Sequence, residues 1–479
     1  MSATVNANSV ANSALAPHAA QPAPSQPGMN PRTRRLLQGA IVPTILLLAW
    51  PNVLMMMAQA STGLIETWWV SHLGTDALTG MALVFPGYMM MGMLSGGAFG
   101  GGISSAISRA LGSGRRDDAD ALVLHALLIN LALGIVTSAI FLIFGRAIYA
   151  AMGGEGASLE AALAYSNVVF AGNILLWVMN ALASIIRGTG NMMLPSLAVL
   201  ASVILLVPLS PVLIFGLGFI PALGIAGGGL AIVVTTVIAI VVLAWYLFSG
   251  RCVVRFRRAA LRRPFFADIL RVGTIGAISS LQTSLTIVLI TALVGSAAGP
   301  AAIAGYGTGA RLEYLLIPLV FGIGAPLVAL VGTNIGAGQR ERALRIALTG
   351  GAIAFAASEI VGLAGAFFPQ AWLSLFGSDP ALLESGTTYL RFVGPTYGFF
   401  GLGLSLYFAS QGAGRLGWPL LAGLIRMVVA AGGGWIVLRM TGSLTAMFAV
   451  VALAVALYGI VLGAAVASGV WFRGRVRAI

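Results

Sequence analysis

The chain has 479 residues, of which 59% are hydrophobic and 8% charged, and its mean hydropathy is +0.98; a water-soluble domain carries roughly 25% charged residues. The formal charge of +13 comes from 26 basic residues, all of them Arg, against 13 acids. Apolar runs of about 18 or more residues recur along most of the length, so a water-soluble fold is excluded and an all-α polytopic membrane protein is predicted.

Residues 1 to 30 are rich in Ala, Ser, Pro, Gln and Asn and contain no charge. They lack the basic start and apolar centre of a cleavable signal, so a disordered cytoplasmic tail over 1–35 is expected, ending in Arg32, Arg34 and Arg35. Twelve spans follow, at 43–71, 79–111, 120–149, 159–186, 194–217, 223–249, 271–297, 302–335, 342–368, 381–410, 418–440 and 445–471. Several exceed the ~20 residues a bilayer needs, which predicts tilted or projecting helices.

Gly188 and Gly412 lie 224 positions apart, and so do Pro195 and Pro419. Gly112-Ser113-Gly114 and Gly336-Ala337-Gly338 keep that offset. The chain is therefore a doubled unit, the usual build of an alternating-access transporter. It divides into a lobe over 36–249 (helices 1–6), a linker over 250–270, a second lobe over 271–472 (helices 7–12) and a basic cytoplasmic tail over 473–479. Turns after the even-numbered spans carry Arg115, Arg116, Arg187, the run Arg251 to Arg263, Arg340, Arg342 and Arg415. The opposite turns hold Asp76, Glu155, Glu160, Asp379 and Glu384. The positive-inside rule then puts both termini in the cytoplasm, with the protein multi-pass in the cell (inner) membrane and the halves related by a pseudo-two-fold along the membrane normal. This clustering of Arg on one side explains the charge without nucleic acid. The linker interleaves Arg with Val, Phe and Leu, which suits an amphipathic segment on the anionic inner leaflet.

With the repeat and the spans in place, the chain resembles the multidrug and toxic compound extrusion (MATE) family over about residues 36 to 470. The matching stretches are Glu66 to Gly74, Arg109 to Gly114, Arg187 to Asn191, Leu213 to Gly216, Arg311-Leu312-Glu313 with Pro318, and Gly332 to Gly338. The resemblance implies two six-helix lobes in a V around a central cavity. It also implies export of organic cations or drugs in exchange for H+ or Na+, by a protein expected to act as a monomer among membrane lipids.

A charge at the bilayer centre costs about 2.5–3.5 kcal/mol on insertion scales, so charges inside spans are functional candidates. Those away from span ends are Glu66, Glu313, Glu359, Arg311 and Arg426. Glu66 lies about six residues inside the outer end of the first span, roughly 9 Å deep. It is read as the group that binds and releases a coupling ion, against the alternative of a carboxylate reaching interfacial water. The family pattern usually has Asp here, an acid that takes part in cation coupling. The family also commonly reads Leu-Asp-Pro in the fifth span, preceded by Asn; this chain has Leu209-Ser210-Pro211, with Leu206 in place of the Asn. Loss of those oxygens favours H+ over Na+ as coupling ion. The cation-coupling set is thus Glu66, Ser210 and Glu313, and no other cofactor or metal is expected.

Equal depth on neighbouring helices permits an Arg311–Glu359 pair that leaves Glu313 facing the cavity, or a structural Arg311/Glu313/Glu359 network. Arg426 is read as structural, reaching helix-terminal carbonyls. The substrate cavity is assigned to Met55, Gln59, Met89, Gln282, Thr286, Tyr306, Arg311 and Glu359, the Met residues because thioethers reshape around varied ligands. A flippase or exporter of a lipid-linked or other amphiphilic solute on the same fold is the alternative. No paired Asp, His-based metal site (only His18, His72 and His125 occur) or nucleophile–base pair falls within the spans, so an enzyme is not expected.

Overall fold

The computed structural model describes residues 30–218 and 220–472. In hydrocarbon every backbone N–H and C=O must be satisfied within its own segment, so apolar runs of this length fold as helices. The first lobe comprises Ile41–Ser71, Thr75–Gly112, Arg116–Ala151, a fourth span made of Gly156–Ala171 and Asn173–Gly188, Met193–Phe215 and Ile225–Phe248. The second comprises Arg263–Ala297, Ala302–Gly336, Arg340–Phe367, a tenth span made of Pro380–Val393 and Tyr397–Gly412, then Gly417–Thr441 and Leu444–Ala467. The fourth span bends by 42° at its break. The tenth breaks at a short 3-10 turn, Gly394–Thr396, which contains Pro395. Two spans widen into π-helical segments, Met93–Phe99 in the second and Val428–Gly433 in the eleventh.

The loop motifs of the repeat are the same helix stop used repeatedly. Gly114, Gly338 and Gly414 all adopt positive φ, a conformation that glycine takes without a Cβ penalty. After them the N–H groups of Arg115, Gln339 and Arg415 reach back to the carbonyls of Ala110, Asn334 and Ser410. This is the Schellman closure of a helix C-terminus.

The other glycine of each motif does different work. A Cβ on Gly112 would lie 2.1 Å from the Thr333 carbonyl oxygen, and one on Gly336 would lie 2.2 Å from that of Arg109. Residues 109 and 333 are themselves 224 apart, so these are one contact made twice. Ser108 and Gly332, also 224 apart, touch each other. A residue that meets its own repeat mate lies on the axis, which here passes between the second and eighth spans. The two halves therefore share one orientation.

The hydrogen bonds and ion pair that join the lobes among the described residues all lie at Gly97 or nearer the Arg-rich face. The Ser105 hydroxyl donates to the carbonyls of Gln411 and Gly412, and the Gln411 amide donates to Gly97 O at 3.0 Å. Arg109 grips both Asp268 oxygens (2.7 and 2.9 Å) and donates to Gly412 O. Asn334 donates to Leu36 O, and Arg342 to Gly39 O. Thus the Arg-rich face is sealed. Each half also lends the other a foot: Ile45 of the first span packs in the core of the second lobe, while Ile269, its mate 224 positions on, packs in the core of the first.

Two expectations need correction. Residues 30–35 are not part of a disordered tail, because Pro31–Gln38 is helical; the Asn30 side chain caps it by accepting from Arg32 N–H, and Pro31 takes the first helical position, where no donor is needed. The remainder of that tail and the tail over 473–479 lie outside the described residues. The linker is not an amphipathic segment over 250–270, since helix resumes at Arg263. What precedes it is a strap held to the third span, with Cys252, Val253 and Val254 buried. Asp120 accepts from Arg255 N–H at 2.7 Å and His125 Nε2 from Arg262 N–H at 2.9 Å, while Arg116 donates to Val253 O. The acids opening the third span offer the strap's donors better partners than a lipid surface does.

Candidate functional site

The first and fifth spans both run outward from the Arg-rich face, and Ser196 donates to Asn52 at 2.9 Å. The same offset of 144 residues sets Ser210 level with Glu66. Farther out, at an offset of 146, the rings of Trp69 and Phe215 pack with centroids 6.2 Å apart, which keeps the register to within two residues. Glu66 is 7% exposed and Ser210 1%. Neither Glu66 Oε1 nor Ser210 Oγ has a hydrogen-bond partner among the described residues. Buried polar atoms are nearly always paired, and an ionised carboxylate so far from water needs a proton, a cation or a donor beside it. Two orphaned oxygens at one depth therefore mark a place for a small positive species.

The Tyr88 ring of the second span and the Tyr165 ring of the fourth lie within electrostatic reach of Glu66. The Glu66 carboxyl thus sits inside the first lobe, among the first, second, fourth and fifth spans. The repeat mate of Glu66 is Ile290, so the second lobe has no counterpart to this acid.

In the second lobe, the sequence-predicted charges do not meet as expected. Arg311 lies over the Phe376 ring, 5.4 Å from its centroid. Glu359 Oε2 accepts the Gly398 N–H at 2.7 Å, capping the helix after the break in the tenth span. Tyr389 donates to Glu313 at 3.3 Å, and Arg426 acts on Glu313 electrostatically. Neither the Arg311–Glu359 pair nor the three-residue network forms, because equal depth says nothing about which way a helix face points. Arg426 also departs from expectation. Instead of reaching helix-terminal carbonyls it inserts between Phe400 and Tyr458, 5.7 and 5.5 Å from the ring centroids. A carboxyl that already accepts from a phenol, with a guanidinium within electrostatic reach, is a poor place for a coupling ion, so Glu313 reads as part of the second lobe's internal polar framework.

Glu359→Ala leaves the Gly398 N–H unpaired and is expected to cost about 1–3 kcal/mol of stability. Glu359→Gln keeps an acceptor oxygen and should cost much less, with transport retained in both. Thermal unfolding in detergent, alongside an export assay, checks this.

Of the assigned cavity residues, Gln59 and Met89 are exposed, whereas Met55 is buried. Gln282 packs against Gly423, and Thr286 donates to the Gln282 carbonyl. Tyr306 stacks with Tyr389 and Phe448 inside the second lobe. The assigned residues thus do not form one common wall.

Sequence reasoning missed a different cluster. On the axis, a cavity of about 20 Å³, room for about one water, is lined by Gly101, Ala325, Arg187 and Gln411 among others. Arg187, which the sequence places with the loop arginines, is 8% exposed; it reaches Met55 Sδ at 3.8 Å and leaves its Nε without a partner. The signal was available, since Arg187 and Gln411 are repeat mates. Tyr165 and Tyr389 are mates too, one beside each lobe's acid.

Comparison with known proteins now bears on this geometry. The MatE family model matches residues 51–212 and 276–436, one block in each lobe. The chain belongs to the MatE family. Among relatives, an FAD transporter of Shewanella oneidensis is 28% identical over 383 residues, 78% of this chain and 82% of that protein. A probable multidrug resistance protein NorM of Thermotoga maritima is 25% identical over 386 residues, covering 79% and 81%. The multidrug export protein MepA of Staphylococcus aureus is 24% identical over 374 residues, covering 76% and 80%. Among solved structures, a MATE protein in complex with MaD3S superposes with a TM-score of 0.84 at 25% identity, over 92% of this chain and 98% of that one. A MOP superfamily transporter of Pyrococcus furiosus, with a binding pocket of reversed polarity, gives the same values. The MatE protein is thus a multi-span membrane transporter of twelve helices in two lobes, related to multidrug exporters.

Proposed function

We propose that this MatE protein is a proton-coupled antiporter that exports organic cations or drugs by alternating access, with both termini in the cytoplasm of the cell that houses it. The observation that carries the proposal is the unpartnered Oε1 of the Glu66 carboxyl, buried level with Ser210 inside one lobe only. Such a group takes a proton readily. Sodium would need several oxygens, and the fifth span presents Ser210 and the buried apolar Leu206 on that side. With the Arg-rich face inward, the sealed arrangement is the outward-open state, in which Glu66 exchanges its proton with the outside. A potential of 100 mV supplies about 2.3 kcal/mol per charge moved, and a tenfold gradient costs about 1.4 kcal/mol. For a neutral drug one proton per turn therefore supports between ten- and a hundredfold accumulation, whereas 1:1 exchange with a monovalent cation moves no net charge and is driven by the pH difference alone.

Drug-dependent pH change in proteoliposomes, with and without Na+, tests this. Acidification or alkalinisation that follows added organic cation and ignores Na+ is expected; a strict requirement for Na+ would overturn the coupling assignment.

Export of an anionic amphiphile, such as a flavin nucleotide, is favoured by one observation: the buried, half-satisfied Arg187 guanidinium on the axis between the lobes. Flavin flux in the same liposomes, with no response to organic cations, would select that substrate class instead.

A further inference from the structure

A cavity lies away from Glu66 and off the axis, on the Arg-rich face of the second lobe. It measures about 270 Å³ and is lined by Arg271 at the base of the seventh span, Arg415 to Trp418 in the turn between the tenth and eleventh spans, and Trp471. Among the described residues neither Arg271 nor Arg415, like most of the arginines, makes an ion pair. Both are exposed. Two unpaired guanidinium groups facing one cavity repel each other and call for an anion.

Backbone donors converge there as well. Helix Gly417–Met427 begins at the cavity wall, and the N–H groups of Gly417 and Trp418 lie in its first turn, where no intrahelical acceptor exists. A phosphate at that position meets N–H donors, the positive helix end and bidentate Arg geometry together. The sequence beyond Phe472 adds Arg473, Arg475 and Arg477 and no acidic side chain.

What distinguishes a lipid from a soluble phosphate is the surface leading away from the cavity. Trp418, Leu421 and Leu424 are exposed and spaced by three along one helix face, running from the headgroup level toward the bilayer centre. That stripe receives an acyl chain while Trp418 sits at the interface, the level where Trp is favoured. We infer that the cavity binds the phosphodiester headgroup of an anionic phospholipid from the inner leaflet, with Arg271 and Arg415 holding the phosphate.

The site is built on the elements that close the lobes. Asp268, one turn before Arg271, and Gly412, three residues before Arg415, are the two partners of Arg109 in the seal. A headgroup bridging Arg271 and Arg415 therefore steadies the sealed state.

The test is thermal unfolding of the full-length protein in detergent, with added phosphatidylglycerol, phosphatidylcholine or inorganic phosphate, for the native chain and for R271Q/R415Q. Phosphatidylglycerol is expected to raise the Tm of the native protein by a few degrees, as a ligand selective for the folded state does. Phosphatidylcholine and inorganic phosphate are expected to do far less, and the double variant to lose most of the response. An equal response in the double variant would overturn the site, and an equal response to inorganic phosphate would overturn its assignment to lipid. Should the double variant fail to fold, R415Q alone, changed in an exposed turn, serves the same comparison.

Discussion

Glu66→Gln is expected to reduce coupled export to the level of empty liposomes while leaving expression and thermal stability close to native. The amide matches the carboxyl in shape and fits the same space near Tyr88 and Tyr165, but it cannot take up or release a proton. Replacing a buried ionisable group by a neutral isostere is often harmless or favourable to stability, so loss of transport would not reflect unfolding. Glu66→Asp keeps the carboxyl and withdraws it by one methylene toward the form the family usually carries, so partial activity should return. The measurement is drug-driven pH change in proteoliposomes for the three proteins. Undiminished export by Glu66→Gln would sink the coupling role.

The second large effect is expected at the seal. Gly336→Val puts side-chain carbon where the Arg109 carbonyl oxygen now lies, and Gly112→Val does the same against Thr333. Both obstacles are backbone atoms of the other lobe, so no rotamer change relieves them; only separation of the lobes does. Overpacking of this kind costs about 1–3 kcal/mol, which shifts the balance between sealed and unsealed states by about five- to 150-fold. Since the clash lies at the contact between the lobes and leaves the packing of both cores unchanged, the protein should fold, with transport reduced by a similar factor. A cysteine placed at Ser105, buried in the seal, should react with maleimide in the Gly336→Val background and resist it without that change. The native thiol does not confuse the assay, because burial in the strap pushes the Cys252 thiol up from its ordinary value and hides it. A Ser105→Cys thiol that stays protected despite Gly336→Val would count against the wedge.

The lobes, their common orientation and the buried position of Glu66 are legible because they depend on one-dimensional signals. Run length reports the bilayer, Arg spacing reports the sides, and a constant offset reports duplication. What failed to read out depends on rotation about helix axes. Arg311, Glu313 and Glu359 share a depth, yet one lies on Phe376, one meets Tyr389 and Arg426, and one caps Gly398. Arg187 failed for a related reason: its position near a turn suggests solvent, whereas the last turn of its helix faces the neighbouring lobe. The helix at Pro31–Gln38 was within reach, as Asn followed by Pro is a standard opening signal, but the bland composition before it masked the cap. The strap could not be foreseen from its own arginines, because its partners, Asp120 and His125, lie some 135 residues earlier.

The crossed feet of Ile45 and Ile269 bear on how such a chain is assembled. Neither half is a self-contained body, for each leaves an apolar footprint that only the partner's opening helix covers. An unduplicated ancestor of this design, standing alone, would bury that footprint only against a second copy of itself, trading arms about a two-fold axis as symmetric dimers do. Fusion would then preserve the exchange while freeing the copies to diverge, and the acid held by one half and absent from the other is what that freedom looks like.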